Sequence, residues 1–426
     1  MVTKICVVGL GYIGLPTAAM FAKTGFEVVG VDVNENAVNL LNQGKIHIEE
    51  VGLGDLVKKV VHEDKLRATT SPEQADVFII AVPTPNYPDH TANLEYVKSA
   101  TESILPYLRK DNLVIVESTI PPRTIDDFVV PIIQAEGWNV GEEIFVTHCP
   151  ERVLPGRILI ELVENTRIVG GINNISAQKA ANVYKSFVTG EIILTSAVTA
   201  EMSKLMENTY RDVNIALANE LAKISDKLGI NALEVIQLAN RHPRVNLHQP
   251  GPGVGGHCLA VDPYFIIEKA PEESPLIINA RRINNSMPEF VIEHVNKIVD
   301  SNAKIAVFGL TYKGNIDDVR ESPAMDVVSL LQEKNYNLSI YDPHVKQDQV
   351  GFKLSTFEEA IDQADCILVL TDHNEFKRLD EVKIHSKMRS PVVFDTKNCV
   401  KINSEAIKYY NYGNLYEMNR ELEALV

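Results

Sequence analysis

The chain has 426 residues, a formal net charge of −16 at pH 7, and 45% hydrophobic against 23% charged residues. That length calls for two or three domains, and the composition is that of a globular chain with a sizeable core. The negative balance excludes nucleic acid as a main partner, because such binding rests on Lys and Arg neutralising phosphates, although a few local cations can still hold a small anion. The five cysteines are scattered without CxxC pairs, which suggests neither a disulfide framework nor a zinc ribbon and suits a reducing compartment. The start of the chain has no basic segment with a cleavage site, and no apolar run is long enough to span a bilayer. The expectation is a cytoplasmic protein with no membrane partner and no metal.

From Lys4 to about Thr147, short β-branched runs alternate with stretches of helical period: KICVVG, EVVGVD, VFIIAV, LVIVES and EIFVTH. This alternation predicts a parallel sheet covered by helices. Between Thr199 and Leu228 a long helix without glycine follows, then more helix and a loop dense in Gly and Pro. From Lys304 the strand pattern returns with KIAVFG, NLSIYDP, CILVLT and VVFDTKN. The predicted fold class is therefore α/β: two Rossmann-like, doubly wound parallel-sheet domains joined by a central helical domain, with boundaries at 1–195, 196–298 and 299–426. The two outer parts resemble each other in strand order and in their opening Gly-containing turns.

Gly9, Gly11 and Gly14 form G-x-G-x-x-G directly after the first strand and at the start of a helix. The three glycines suit a tight turn, close approach of a pyrophosphate, and packing of helix on strand, while the helix N-terminus offers N–H groups to the phosphates. The alternative is a plain structural turn. Asp32, eighteen residues after Gly14, ends the second strand and is placed to accept ribose hydroxyls; no Arg follows it at 33–35, so NAD is favoured over NADP. Three further strand ends carry Pro83-Thr84-Pro85, Ser118-Thr119 with Pro121 and Pro122, and Pro150-Glu151-Arg152. Each reads either as loop punctuation or as part of the ligand crevice at the carboxyl ends of the strands.

On the long helix Lys204, Asn208 and Arg211 share one face within two turns. They read as a solvated stripe or as a hold on an alcohol oxygen and a phosphate. The loop from His242 and Arg244 to Pro250-Gly251-Pro252-Gly253-Val254-Gly255-Gly256-His257-Cys258 favours the second reading. A structural cysteine is generally buried in a strand or helix, whereas a nucleophilic one is needed on a rigid turn where it is reachable. Cys258 has the second setting. Cys6 and Cys366 lie in apolar strands, and Cys149 and Cys399 lie at strand ends with nothing nearby to decide their role. His257-Cys258 lacks the spaced partners of a zinc site.

Taken together, GLGYIG at 9–14, PTP at 83–85, PER at 150–152, TAEMSKLMEN at 199–208, HQPGPGVGGHC at 248–258 with Asp262, and GLTYKGNIDDVRESP at 309–323 resemble the UDP-glucose/GDP-mannose dehydrogenase superfamily over essentially the whole chain. The resemblance is nearest the branch acting on UDP-N-acetyl-D-mannosamine, because LAVDP follows Cys258 where the UDP-glucose branch ends in Lys-Asp. It implies a four-electron oxidation of a sugar C6 alcohol to a carboxylate with two NAD⁺ and a thiohemiacetal and thioester on Cys258. It assigns catalysis to Cys258, Lys204, Asn208, Asp262, Glu151 and Thr119. It assigns the cofactor to Gly9, Gly11, Tyr12, Ile13, Gly14, Asp32, Thr84, Ser118, Thr119 and Arg320. For the UDP-N-acetylhexosamine substrate it implies Arg152, Val153, Lys204, Asn208, Arg211, His242, Arg244, Gly255, Tyr312, Lys313 and Lys397. It also implies a homodimer, or a higher oligomer, through the central helices. Competing expectations are the gluco epimer as substrate, a 3-hydroxyacid dehydrogenase of similar domain order, and a non-catalytic NAD-binding regulator.

Overall fold

The computed structural model describes residues 2–154, 156–418 and 420. They group into two units, Met1–Glu207 with Tyr264–Pro271, and Asn208–Pro263 with Glu272–Val426. Among the described residues no helix is long and apolar enough to cross a membrane.

The first unit is built on eight strands: β1 (Lys4–Val8), β2 (Glu27–Val31), β3 (Leu66–Thr69), β4 (Val77–Ile80), β5 (Leu113–Val116), β6 (Phe145–His148), β7 (Arg167–Gly171) and β8 (Ile192–Ser196). Their order is β3-β2-β1-β4-β5-β6-β7-β8, so the chain steps outward in opposite directions from β1 and β4, and the crevice at their carboxyl ends is the switch point of a doubly wound sheet. In β1, Ile5 and Val7 join one apolar cluster while Cys6 and Val8 join the other, because a parallel sheet is covered on both faces. Helix Gly14–Lys23 buries every residue but its last. The expectation of a wholly parallel sheet is modified at one place: β7 runs antiparallel to β6, and β8 then pairs parallel to β7.

The second unit carries β9 (Lys304–Phe308), β10 (Asn337–Tyr341), β11 (Cys366–Val369), β12 (Val392–Asp395) and β13 (Lys408–Asn411), all parallel, in the order β10-β9-β11-β12-β13. This is the other common doubly wound order, with its switch point between β9 and β11. Helix Met287–Ile298 shares a core with this sheet through Phe290, Val291 and Val295. Helix Ala197–Leu228 has 32 residues, a rod of about 48 Å at 1.5 Å per residue.

Candidate active site

The crevice of the first unit begins where β1 ends. Gly9 has φ +94°, and a Cβ there would lie 2.4 Å from the Ala81 carbonyl oxygen; one on Gly14 would lie 1.8 Å from that of Gly9. Gly11 has nothing within 4 Å on its Cβ side, which leaves that side of the turn open to a ligand. Helix Gly14–Lys23 has no side-chain cap and no acid in its first turn, so its leading N–H groups are not screened from an anion. Asp32 Oδ2 accepts from Leu10 N at 2.9 Å and Oδ1 from Asn34 N at 2.9 Å. The carboxylate thus braces the glycine turn while each oxygen keeps a lone pair for a hydroxyl. These residues fit a dinucleotide. Tyr12 is 49% exposed at the mouth of the turn. The next two strand ends are tied together: Thr84 Oγ1 donates to Thr119 O at 2.5 Å, and Ser118 Oγ donates to Val82 O at 2.7 Å while accepting from Val82 N at 2.9 Å.

Beyond β6, Glu151 is held by Arg167 at 2.7 Å, and Arg152 N donates to its other oxygen at 2.7 Å. The Arg152 guanidinium pairs with Glu207 at 2.8 Å and also donates to Thr166 O. Val153 packs against the apolar core. Sequence reasoning did not single out Glu201, whose carboxylate accepts from Arg123 N at 2.6 Å and Ile125 N at 2.8 Å. It joins the turn after Thr119 to the helix bearing the half-buried Lys204.

In the second unit Asn208 Nδ2 donates to Asp262 Oδ2 at 2.6 Å, and both side chains are buried. Arg211, His242 and Arg244 are exposed. Asp262 N donates to Cys258 O at 2.9 Å, so Cys258 sits on the turn that opens helix Asp262–Lys269. Cys258 is exposed, whereas Cys6, Cys149 and Cys366 are buried; burial pushes the Cys149 thiol up to about 11 and those of Cys6 and Cys366 up to about 12. Cys399, half-buried, is also pushed up to about 12.

The glycine loop before Cys258 is clamped at both peptide groups of Gly251: its N–H donates to Asn219 Oδ1 at 2.9 Å, and its carbonyl accepts from Tyr412 Oη at 3.0 Å. A Cβ on Gly255 would lie 2.2 Å from Glu321 O, and one on Gly256 would lie 2.9 Å from the Tyr312 ring. Only glycine lets the loop lie this close to the 309–323 segment. Asn219 and Tyr412 were not anticipated, since neither stands in a recognisable motif.

The second sheet repeats the first turn. Gly309 has φ +90°, and Leu310 N donates to Asp342 Oδ2 at 2.8 Å, as Leu10 N does to Asp32. Asp342, however, also accepts from His373 Nε2 at 3.1 Å, His344 N at 2.8 Å and Val345 N at 3.0 Å. Its four lone-pair positions are spent, so it has none left for a ribose. His373 Nδ1 in turn accepts from Asn315 N at 2.9 Å, which occupies the second ring nitrogen of the one His/Glu group, His344, His373 and Glu375, close enough among the described residues to hold a metal. Tyr312 is half-buried and burial raises its phenol. Lys313 is exposed; Lys397 lies 4.0 Å from Asp372; Arg320 makes a two-pronged pair with Asp318 at 2.8 and 2.7 Å.

Models of the UDP-glucose/GDP-mannose dehydrogenase family match along the chain: the NAD binding domain over residues 3–188, the central domain over 198–286 and the UDP binding domain over 306–402. A protein of Methanococcus maripaludis named UDP-N-acetyl-D-mannosamine dehydrogenase is 51% identical over 94% of each chain. A Ralstonia solanacearum protein named NDP-N-acetyl-D-galactosaminuronic acid dehydrogenase is 47% identical over 92% of this chain and 95% of its own. The solved UDP-N-acetyl-mannosamine dehydrogenase of Staphylococcus aureus superposes with a TM-score of 0.87 at 53% identity, covering 98% of this chain and 100% of that one.

Proposed function

The chain belongs to the UDP-glucose/GDP-mannose dehydrogenase family of NAD-dependent oxidoreductases, and from that premise we propose that it oxidises C6 of UDP-N-acetyl-D-mannosamine to the uronate through a covalent bond to Cys258. The observation that carries this reading is the exposed cysteine on a glycine-clamped turn, one helical turn before the Asp262 that holds Asn208. A simple alcohol dehydrogenase has no use for such a thiol. The high identity to N-acetylhexosamine enzymes favours this substrate class, and the mannosamine names among them favour that epimer.

The first glycine turn and Asp32 would hold NAD⁺, which would supply the hydride acceptor for each of the two oxidations. Lys204 takes the alcohol proton, and the remaining Asn208 N–H holds the oxygen, a contact worth ~3 kcal/mol when charge develops on it. Cys258 Sγ adds to the aldehyde carbon, so no aldehyde is released. After the second oxidation water attacks the thioester, its proton passes to Glu151, and the thiolate leaves; Asp262 and Thr119 order that water. Tyr312, Lys313 and Lys397 serve the diphosphate, with Arg152, Val153, Arg211, His242, Arg244 and Gly255, while Arg320 serves the cofactor.

The domains take the limits 1–195, 196–298 and 299–426. Along the long helix Tyr210, Leu217, Ile224 and Leu228 are exposed at spacings of seven, seven and four, an apolar stripe suited to a second copy of this helix. A cytoplasmic setting would keep Cys258 reduced. Initial rates of NADH formation with the manno, gluco and galacto epimers of UDP-N-acetylhexosamine decide the substrate. Preference for the manno epimer is expected; a clear preference for another overturns that assignment.

A further inference from the structure

Arg167 opens β7 with its side chain only 5% exposed, and nothing in the reaction above uses it. Its Nη2 donates to Glu151 Oε2 at 2.7 Å, its Nη1 lies 3.6 Å from Glu117 Oε1 and 3.5 Å from Cys149 Sγ, and its guanidinium carbon stands 4.4 Å from the centre of the Tyr184 ring. Glu117, fully buried just after β5, accepts from Tyr184 Oη at 2.6 Å and from Thr17 Oγ1 at 3.3 Å. Thr17 belongs to helix Gly14–Lys23, whose N-terminus faces the cofactor turn.

One enclosed guanidinium therefore stands between two carboxyl groups. A buried cation of this kind is costly unless paired, and two full negative charges would leave the cluster with an unbalanced one. Burial pushes the Glu117 carboxyl up to about 7, and at 3.6 Å it is the looser partner of Arg167, whose close contact at 2.7 Å goes to Glu151. Cys149 stays a neutral thiol, since burial raises it too. Glu151 then has a fixed donor on each oxygen, Arg167 on one and Arg152 N on the other. Its carboxylate plane cannot turn, yet each oxygen keeps a lone pair for water.

We propose that Arg167 is a positioning residue for Glu151, fixing that carboxylate for its part in hydrolysing the acyl–Cys258 bond, while Glu117 ties Arg167 to the cofactor helix. This rests on the proposed role of Glu151 as acceptor of the water proton. In that step the water oxygen bonds to the acyl carbon, the C–S bond breaks, one proton goes to Glu151, and no redox partner is consumed.

The test compares the full-length Arg167→Met, Arg167→Lys and Glu151→Gln variants with UDP-N-acetyl-D-mannosamine and NAD⁺. Rapid-quench samples give the burst of NADH and, by intact mass, the fraction of protein carrying the acyl group. Arg167→Met is expected to keep the burst and NAD affinity, to lose about tenfold or more of steady-state turnover, and to accumulate acylated Cys258. Arg167→Lys keeps the charge but loses the planar fork; it should fold if the Met variant does not, and it should accumulate a smaller fraction. Accumulation in Glu151→Gln without accumulation in either Arg167 variant overturns the inference and leaves the role of Glu151 standing. No accumulation in Glu151→Gln removes that role, and the inference with it. A burst that falls in step with turnover in the Arg167 variants means Arg167 is only structural.

Discussion

The Nδ2 of Asn208 sits 2.6 Å from the Oδ2 of Asp262, inside the second unit, with both side chains buried. One amide hydrogen is thereby committed to the carboxylate, which fixes the amide plane and aims the other hydrogen. Asn208→Ala and Asp262→Ala should each lower kcat by about a hundredfold with NAD affinity kept within about twofold. Because the two act as one unit, the double variant should lose little more than the worse single variant. Steady-state kinetics of the cycle provide the check, and full additivity would show that the contact does not serve the reaction.

Gly255 is a steric requirement. A methyl group there would meet Glu321 O at 2.2 Å and Pro323 Cδ at 2.6 Å, so Gly255→Ala must push the cysteine loop away from the 309–323 segment. Turnover should fall by about tenfold or more, since small displacements of reacting groups are expensive, and the thermal midpoint should fall with it, because the clash is with backbone. Gly11→Ala, with open space at its Cβ, should instead raise the KM for NAD. Equal effects of the two on NAD would contradict this division.

Asp32 and Asp342 occupy equivalent places, each accepting from the residue after a left-handed glycine. Only Asp32 has lone pairs left over. Asp32→Ala should therefore raise the KM for NAD about tenfold or more, the loss expected for a charge-assisted hydrogen bond. Asp342→Ala should leave that KM unchanged and lower thermal stability instead, because it strands His373 and the three N–H groups of Leu310, His344 and Val345. An increased KM for NAD in the Asp342 variant would break the distinction.

How far the sequence carried this description differs from residue to residue. The GLGYIG turn, Asp32 and the Cys258 loop were legible because each is local: the residues that cooperate are neighbours in the chain. Strands KICVVG and KIAVFG were legible because a strand buried on both faces is continuously apolar. Strand β3 was not, since LRAT pairs only with β2 at the sheet edge and exposes Arg67. Strand β8 exposes Ile193 and Leu194 for the same reason. Arg167 stayed hidden because its partners lie far off in the chain, Glu117 fifty residues away, and no spacing rule links them. A comparison of VVGVD with LSIYD would have marked Asp342 as the counterpart of Asp32, and only the hydrogen bonds show why it cannot do the same work.

His148 gives the first unit an acid sensitivity. It is fully buried in β6 between β5 and β7, and burial holds its imidazole down from 6.5 to about 3. Below 6.5 the unfolded chain gains a proton that the folded one refuses, so this contribution to stability is whole above pH 6.5 and is lost as pH falls toward 3. Each pH unit in that window costs about 1.4 kcal/mol from this group alone. His148→Leu should narrow the difference in urea stability between pH 7 and pH 5 by about 2 kcal/mol. An unchanged difference would mean that the ring is protonated in the folded protein.

The central claim is that Cys258 carries the sugar between two oxidations. It is tested most directly by counting NADH formed per UDP-N-acetyl-D-mannosamine consumed, in the parent protein and in Cys258→Ser. Two NADH per sugar in the parent, with turnover to the uronate lost in the variant, is the predicted result. One NADH per sugar, or a serine variant that still makes uronate at the parent rate, would contradict the account.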